Sequence, residues 1–232
     1  MGYVFDLGAV LTGQYLNWFL IGIATTVALT ASAWLLAMTV GILLTLLRMI
    51  PFRPFEWFVA LYVEYHRNVP LLVQIFVWYF GVPTLLSRPW RIWINAHSGE
   101  FIFATIALGL AAGAYIAEDL RSGIRSIPKT QYEAARSIGF GYLGAMSYVI
   151  LPQALRIVIP PLINQTLLLF KNTSLAMAIG VGELTYRTRE IESYTFKTFE
   201  AFAVATAVYL AISFCIMALG DYAGRRLKLE AR

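Results

Sequence analysis

The feature that most limits what this chain can fold into is a run of 31 residues without one charged side chain, from Asn17 to Leu47. A hydrocarbon core is crossed by about 20 helical apolar residues. In lipid a single chain segment satisfies its own backbone donors and acceptors only as a helix. Four further stretches have the same character, so five spans are expected over residues 17–47, 57–80, 101–118, 161–181 and 201–223. The expected fold class is an all-α membrane protein. The first run exceeds one crossing, which points to a tilted helix or an interfacial start. Its first basic residue, Arg48, follows the apolar run, whereas a cleaved signal peptide places its cations ahead of a shorter one.

Composition decides the solvent. Hydrophobic residues are 59% of the 232 positions and charged ones 13%, about half the usual share in a soluble domain. The net charge of +5 is spread between apolar runs rather than gathered in a stripe, so no nucleic-acid partner is expected and membrane lipid is. Cys215 is the only cysteine; it cannot form an internal disulfide and reads as a small packing residue.

Orientation follows from the retention of Lys- and Arg-rich loops in the cytoplasm. With the N-terminus outside, the inner segments hold eleven of the 18 basic residues, from Arg48 and Arg53, through Arg121, Arg125, Lys129, Arg136 and Arg156, to Arg225, Arg226, Lys228 and Arg232. The outer segments hold five: Arg88, Arg91, Arg187, Arg189 and Lys197. Five spans, N-out and C-in, are therefore expected, in one membrane domain over residues 1–232 without internal repeats. An odd number of spans does not divide into two halves, so a partner chain is expected.

The segment over residues 119–160 interleaves charges with Ala, Ile, Leu and Gly, as a helix at a membrane surface or against another protein does. It contains Glu133-Ala134-Ala135-Arg136-Ser137-Ile138-Gly139 and, ten residues on, Ile150-Leu151-Pro152. Glu-Ala-Ala is a compact helical face with one charge, and Gly139 permits a helix end. Pro152 is expected to redirect the chain toward the next span.

This run resembles the cytoplasmic coupling motif, the EAA loop, of ABC importer permeases. Tyr62-Val63-Glu64-Tyr65-His66-Arg67-Asn68-Val69-Pro70, Lys171-Asn172-Thr173-Ser174-Leu175 and the ending Arg225-Arg226-Leu227-Lys228-Leu229 resemble the histidine/glutamate/glutamine type of polar amino-acid permease, and within it the glutamate/aspartate branch. The resemblance covers nearly the whole chain. It implies a type I importer permease fold in a bacterial inner membrane, working by alternating access. Glu133, Ala134, Ala135 and Gly139 would then dock into an ABC ATPase dimer, with Ile150, Leu151 and Pro152 closing the motif. It also implies a second permease subunit forming a heterodimer, a periplasmic substrate-binding protein facing residues 81–100 and 182–200, and an amino-acid substrate, glutamate or aspartate, with glutamine or a basic amino acid as the alternative.

The residues offer a substrate path of their own. A lysine near a bilayer centre costs about 2.5–3.5 kcal/mol on insertion scales, so Lys171 is expected to face a polar cavity or a partner. Asn172, Thr173 and Ser174 could unwind the helix there or bond a ligand; helix–helix pairing by Lys171 is the competing reading. Arg67 and Asn68 join them as candidates, against a simpler reading in which Arg67 snorkels at a helix end or pairs with Glu64 three residues away. Pro70 could kink span two, and Gly109 with Gly113 could pack closely at a permease–permease interface.

No phosphate-binding loop, metal-ligand spacing or nucleophile elbow is present. The expectation is a transport subunit rather than an enzyme, holding no metal or cofactor, with ATP on the partner. An ion-coupled carrier is the alternative from another class, weakened by the shortage of carboxylates inside the spans.

Overall fold

The computed structural model describes residues 3 and 5–227, and among them every regular element is helical. Lys228, Leu229 and Arg232, part of the basic ending, lie outside the described residues. After one helical turn at Gly8–Leu11, α1 runs over Gly13–Met49, about 55 Å at 1.5 Å per residue. It contains the expected first span and overshoots both its ends. Next come α2 (Arg53–Asn68), α3 (Leu71–Leu85), the short α4 (Arg88–Ala96) and α5 (Gly99–Arg125). The chain continues with α6 (Lys129–Ser137), α7 (Tyr142–Ile179), α8 (Leu184–Thr195) and α9 (Thr198–Leu227).

Four of these helices, α1, α5, α7 and α9, are long and apolar enough to cross a membrane, and α2 with α3 makes a fifth span if the bent pair is one crossing. The expected second span, 57–80, is not one helix: α2 and α3 meet at 107°. The cause is local. A residue before proline is pushed out of the helical region, and Val69 is extended at φ −94°, ψ 129°, with Pro70 at ψ 134°.

In α7 proline has the opposite outcome. Pro152 does not turn the chain: it sits in the first turn of Leu151–Asn172, directly after a π-helical turn at Met146–Ile150, and α7 passes through it. The helix that carries the expected fourth span, 161–181, thus begins at Tyr142 inside the segment expected as a loop and ends at Ile179, two residues short of the expected end.

Helices α1 and α5 form the centre of the fold. A Cβ at Gly109 would lie 2.7 Å from Leu36, one at Gly113 2.9 Å from Val40, and one at Gly41 2.6 Å from Ile116. The small-residue pair of α5 therefore packs inside this chain, against α1, and not at a permease–permease contact. Polar ties cross the same seam: Ser32 to Thr105 at 3.2 Å, Thr45 to the Ala117 carbonyl at 3.3 Å, and Arg48 to Glu118 at 2.5 Å. Helix α9 lies at the periphery, with Phe214, Leu219 and Cys215 exposed, so the cysteine is not packed inside.

The charged loop before α9 is not a solvated one. Glu183 and Glu200 are fully buried. Glu183 caps α8 by accepting from the Thr185 and Tyr186 amides at 2.9 and 2.7 Å and from the Tyr209 hydroxyl at 3.1 Å. The Leu184 amide donates to Thr26 of α1 at 3.0 Å. Glu200 accepts from the Asp6 amide at 2.9 Å and from the Tyr3 hydroxyl. Two carboxylates thus fasten the N-terminal segment and α8 to the spans.

Candidate functional site: a cavity at a broken helix and a separate surface helix

Breaking a helix at Val69 frees carbonyl groups that have no water to bond inside a membrane. One side chain answers them. Gln74, on α3 and 1% exposed, donates from Nε2 to the Val69 carbonyl at 2.8 Å and to the His66 carbonyl at 3.2 Å. Its Oε1 lies 2.6 Å from His66 Nδ1. With the amide nitrogen committed to two carbonyls, Oε1 accepts and Nδ1 carries the proton. This His66–Gln74 staple was not foreseen. Its signal was present in two neutral polar side chains flanking a proline in an apolar stretch, which need partners once buried.

Beside the break lies a cavity of about 360 Å³ between the α2–α3 elbow, α5 and α7, at the lower end of the ~300–1,000 Å³ typical of ligand pockets. Arg67 and Asn68 line it from the elbow, Tyr115 from α5, and Gln165 and Asn172 from α7. The Arg67–Glu64 pair of the simpler reading does not form. Glu64 instead accepts from the Asn68 amide nitrogen at 2.7 Å. The Arg67 guanidinium lies 5.8 Å from the centre of the Tyr115 ring, within cation–π range. One turn further along α5, Asp119 accepts from Gln165 at 3.0 Å.

Of the six side chains expected along a substrate path, Arg67, Asn68 and Asn172 meet in this cavity. The other three do not line it. Lys171 is exposed on α7 and is not part of the cavity lining. Thr173 is buried and donates to the Phe170 carbonyl at 2.6 Å, and Ser174 donates to the Lys171 carbonyl at 2.8 Å. Thr173–Ile179 has tightened to a 3₁₀ helix.

The second functional region is α6. Gly139 adopts φ +96°, open to glycine at little cost. The Phe140 amide reaches the Ala135 carbonyl at 3.1 Å and the Gly139 amide the Arg136 carbonyl at 3.1 Å, the paired bonds of a Schellman ending. Ala135 is buried against the chain, whereas Glu133, Ala134 and Ile138 face outward. Leu143 and Tyr148 extend that surface, both about three-quarters exposed. A nine-residue helix with so little cover buries too little apolar area to hold itself alone, and its outward face is open to a partner. Ile150 is core, Leu151 is half-buried and Pro152 is exposed at a helix start, so the end of the motif serves the base of α7.

The likenesses to known proteins agree with this arrangement. The glutamate/aspartate import permease protein GltJ of Escherichia coli K12 is 34% identical over 219 residues, 93% of this chain and 89% of its own length. The probable glutamine ABC transporter permease protein GlnM of Bacillus subtilis is 37% identical over 206 residues, 89% of each chain. The crystal structure of an amino acid ABC transporter with histidines superposes with a TM-score of 0.85 at 29% identity, covering 97% of this chain and all of that one. Residues 37–229 match the family model for inner membrane components of binding-protein-dependent transport systems. The fold is that of a type I ABC importer permease, and the chain belongs to this family of inner-membrane transport components, not to an enzyme family.

Proposed function

We propose that this chain is the permease subunit of an ATP-driven importer that carries an acidic amino acid, glutamate or aspartate, through the cavity at the α2–α3 break. The observation that carries the reading is the placement of Arg67 among the polar groups Asn68, Gln165 and Asn172, with no salt bridge to a described residue and with Asp119, one turn along α5, attracting it only at longer range. A guanidinium is always charged and presents several donors in a plane, matched to a carboxylate. Leu108, Leu168 and Leu169 supply the apolar part of the cavity wall. The similarity to a glutamate/aspartate permease supports the same substrate class.

The power stroke enters at α6. An ABC ATPase dimer, holding the ATP, receives Glu133, Ala134 and the outward face around Ile138. Its closure displaces α6, which rests on the base of α7 through buried Ala135. Helix α7 then carries the displacement about 45 Å, from Tyr142 to Asn172 at 1.5 Å per residue, to the cavity wall. A cytoplasmic α6 requires the N-out, C-in topology, and the outer ends around α4 and α8 then face the periplasmic binding protein. Lys171, exposed on α7, faces a second permease subunit, since lipid would not accept it. In an acidic amino-acid system that subunit is a distinct chain, making a heterodimer.

Glutamine is the second reading, favoured by the similarity to a probable glutamine permease. Uptake of labelled glutamate in cells with and without the chain, challenged by excess aspartate, glutamine, histidine or arginine, separates the two. Loss on deletion with competition by aspartate is expected. Intact glutamate uptake with a glutamine defect sinks the acidic assignment and keeps the permease.

A further inference from the structure

A second cavity, of about 500 Å³, lies where α1 leaves its apolar span, walled by the end of α1, the start of α2 and the end of α5. Four arginines converge on it: Arg48, Arg53, Arg121 and Arg125. Glu118 meets Arg48 at 2.5 Å and Arg121 at 3.5 Å, and Glu56 lines the far wall. The balance still leaves an excess of two positive charges. Arg53 and Arg125 are exposed and form no ion pair with a described residue. The Arg48 Nε is buried without a hydrogen-bond partner among the described residues, a donor whose desolvation none of them offsets.

The surroundings narrow the ligand. Ile50 and Phe52 line the cavity, Leu46, Trp57 and Phe58 lie on α1 and α2, and all five are about half exposed or more. A soluble anion has no use for that surface, whereas a phospholipid matches both parts at once. Its phosphate would enter the arginine cavity and its acyl chains would lie along the apolar flank. Basic pockets between spans at a membrane surface take anionic headgroups in this way.

We propose that this cavity is a binding site for an anionic glycerophospholipid, seated with its phosphate between Arg48, Arg53 and Arg125. The headgroup joins the start of α2 to the end of α5. It thereby steadies from below the helix whose far end breaks to form the other cavity. The site takes no part in reading the transported substrate, so it stands or falls separately from the acidic amino-acid assignment.

The test uses the intact transporter, purified with its partner chains, stripped of lipid in neutral detergent and titrated with dioleoylphosphatidylglycerol or dioleoylphosphatidylcholine. Retained lipid is counted by native mass spectrometry. Wild type is expected to retain phosphatidylglycerol in preference to phosphatidylcholine. At about 1 kcal/mol per arginine near a membrane surface, Arg53→Gln with Arg125→Gln should weaken that retention roughly 30-fold. Arg53→Lys with Arg125→Lys keeps most of it. Unfolding temperature without lipid checks that both variants fold, and Arg53→Gln alone serves if the double variant does not. Equal retention of both lipids, or unchanged retention in a folded Gln variant, overturns the site. Displacement of the lipid by millimolar inorganic phosphate overturns the lipid as the source of the phosphate.

Discussion

The α2–α3 elbow and α7 both carry proline inside an apolar segment, and only one of them breaks. At Pro70 the chain turns by 107°, while α7 accommodates Pro152, Pro160 and Pro161 and stays continuous from Tyr142 to Ile179. Proline alone does not explain the difference, because it removes one donor and crowds one carbonyl in either place. What differs is the treatment of the freed backbone groups. The elbow has a dedicated side chain, Gln74, that bonds two carbonyls and is itself held by His66. In α7, Pro152 follows a wider π turn and occupies a first-turn position where no donor is required. A break inside a membrane protein is stable where a buried polar group has been supplied to satisfy it, and the resulting elbow exposes polar atoms to a cavity.

The strongest way to break this comparison is Gln74→Leu. It strands the Val69 and His66 carbonyls and the His66 Nδ1 donor, each costing about 1–3 kcal/mol when buried. A loss of roughly 3 kcal/mol or more in stability is expected, with uptake reduced at least tenfold. Thermal unfolding of the purified complex and an uptake assay measure the two. A stable, active Gln74→Leu permease would mean that Pro70 alone holds the elbow.

A second, smaller effect tests burial against hydrogen bonding at the outer end. Burial pushes the Glu183 carboxyl up to about 6 from 4.5, although two backbone amides and the Tyr209 hydroxyl favour its ionised form. The folded state therefore holds the proton more tightly than the unfolded one. Its stability rises as pH falls from about 6 toward 4.5, by about 2 kcal/mol at one pKa unit per 1.36 kcal/mol. Glu183→Gln should remove this pH dependence, as read from unfolding midpoints at pH 7 and pH 5. An unchanged pH profile in the variant would assign the dependence to another group.

The smallest effect sharpens the other side. Pro160→Ala restores a backbone donor within a helix that is already continuous, so a change within about 1 kcal/mol is expected. Spin labels flanking position 160 should report an unaltered distance. A bend straightened by this substitution would show that α7 also uses proline as a joint.

Much of the architecture could be read from the chain itself, because apolar runs of span length have few alternatives. The short helix α6 and its ending were legible through Glu133, Ala134, Ala135 and Gly139, where a small-residue face and a left-handed glycine are local requirements. The elbow was not, since Pro70 and Pro152 look alike until partners for the freed carbonyls are known. Long-range pairing hid the rest. Gly109 and Gly113 meet α1 rather than another subunit because Leu36 and Val40 lie opposite. Glu183 and Glu200 look like loop charges until Tyr209, Thr185 and Asp6 are brought to them. Arg67 could be read from the sequence either as a cavity residue or as the partner of Glu64, and only the fold, which gives Glu64 to Asn68 and Arg67 to the cavity, decides between them.

The most direct test of the account is equilibrium binding of labelled glutamate to the intact complex, comparing wild type with Arg67→Gln, Asn172→Leu and Lys171→Gln. Loss of one charge-assisted contact costs about 1.5–3 kcal/mol, so Arg67→Gln should weaken binding roughly 10- to 100-fold. Asn172→Leu should follow with a smaller loss, and Lys171→Gln should bind as wild type does. Wild-type binding by a folded, assembled Arg67→Gln complex, with loss in Lys171→Gln instead, would contradict the account and move the substrate path to the exposed face of α7 that carries Lys171.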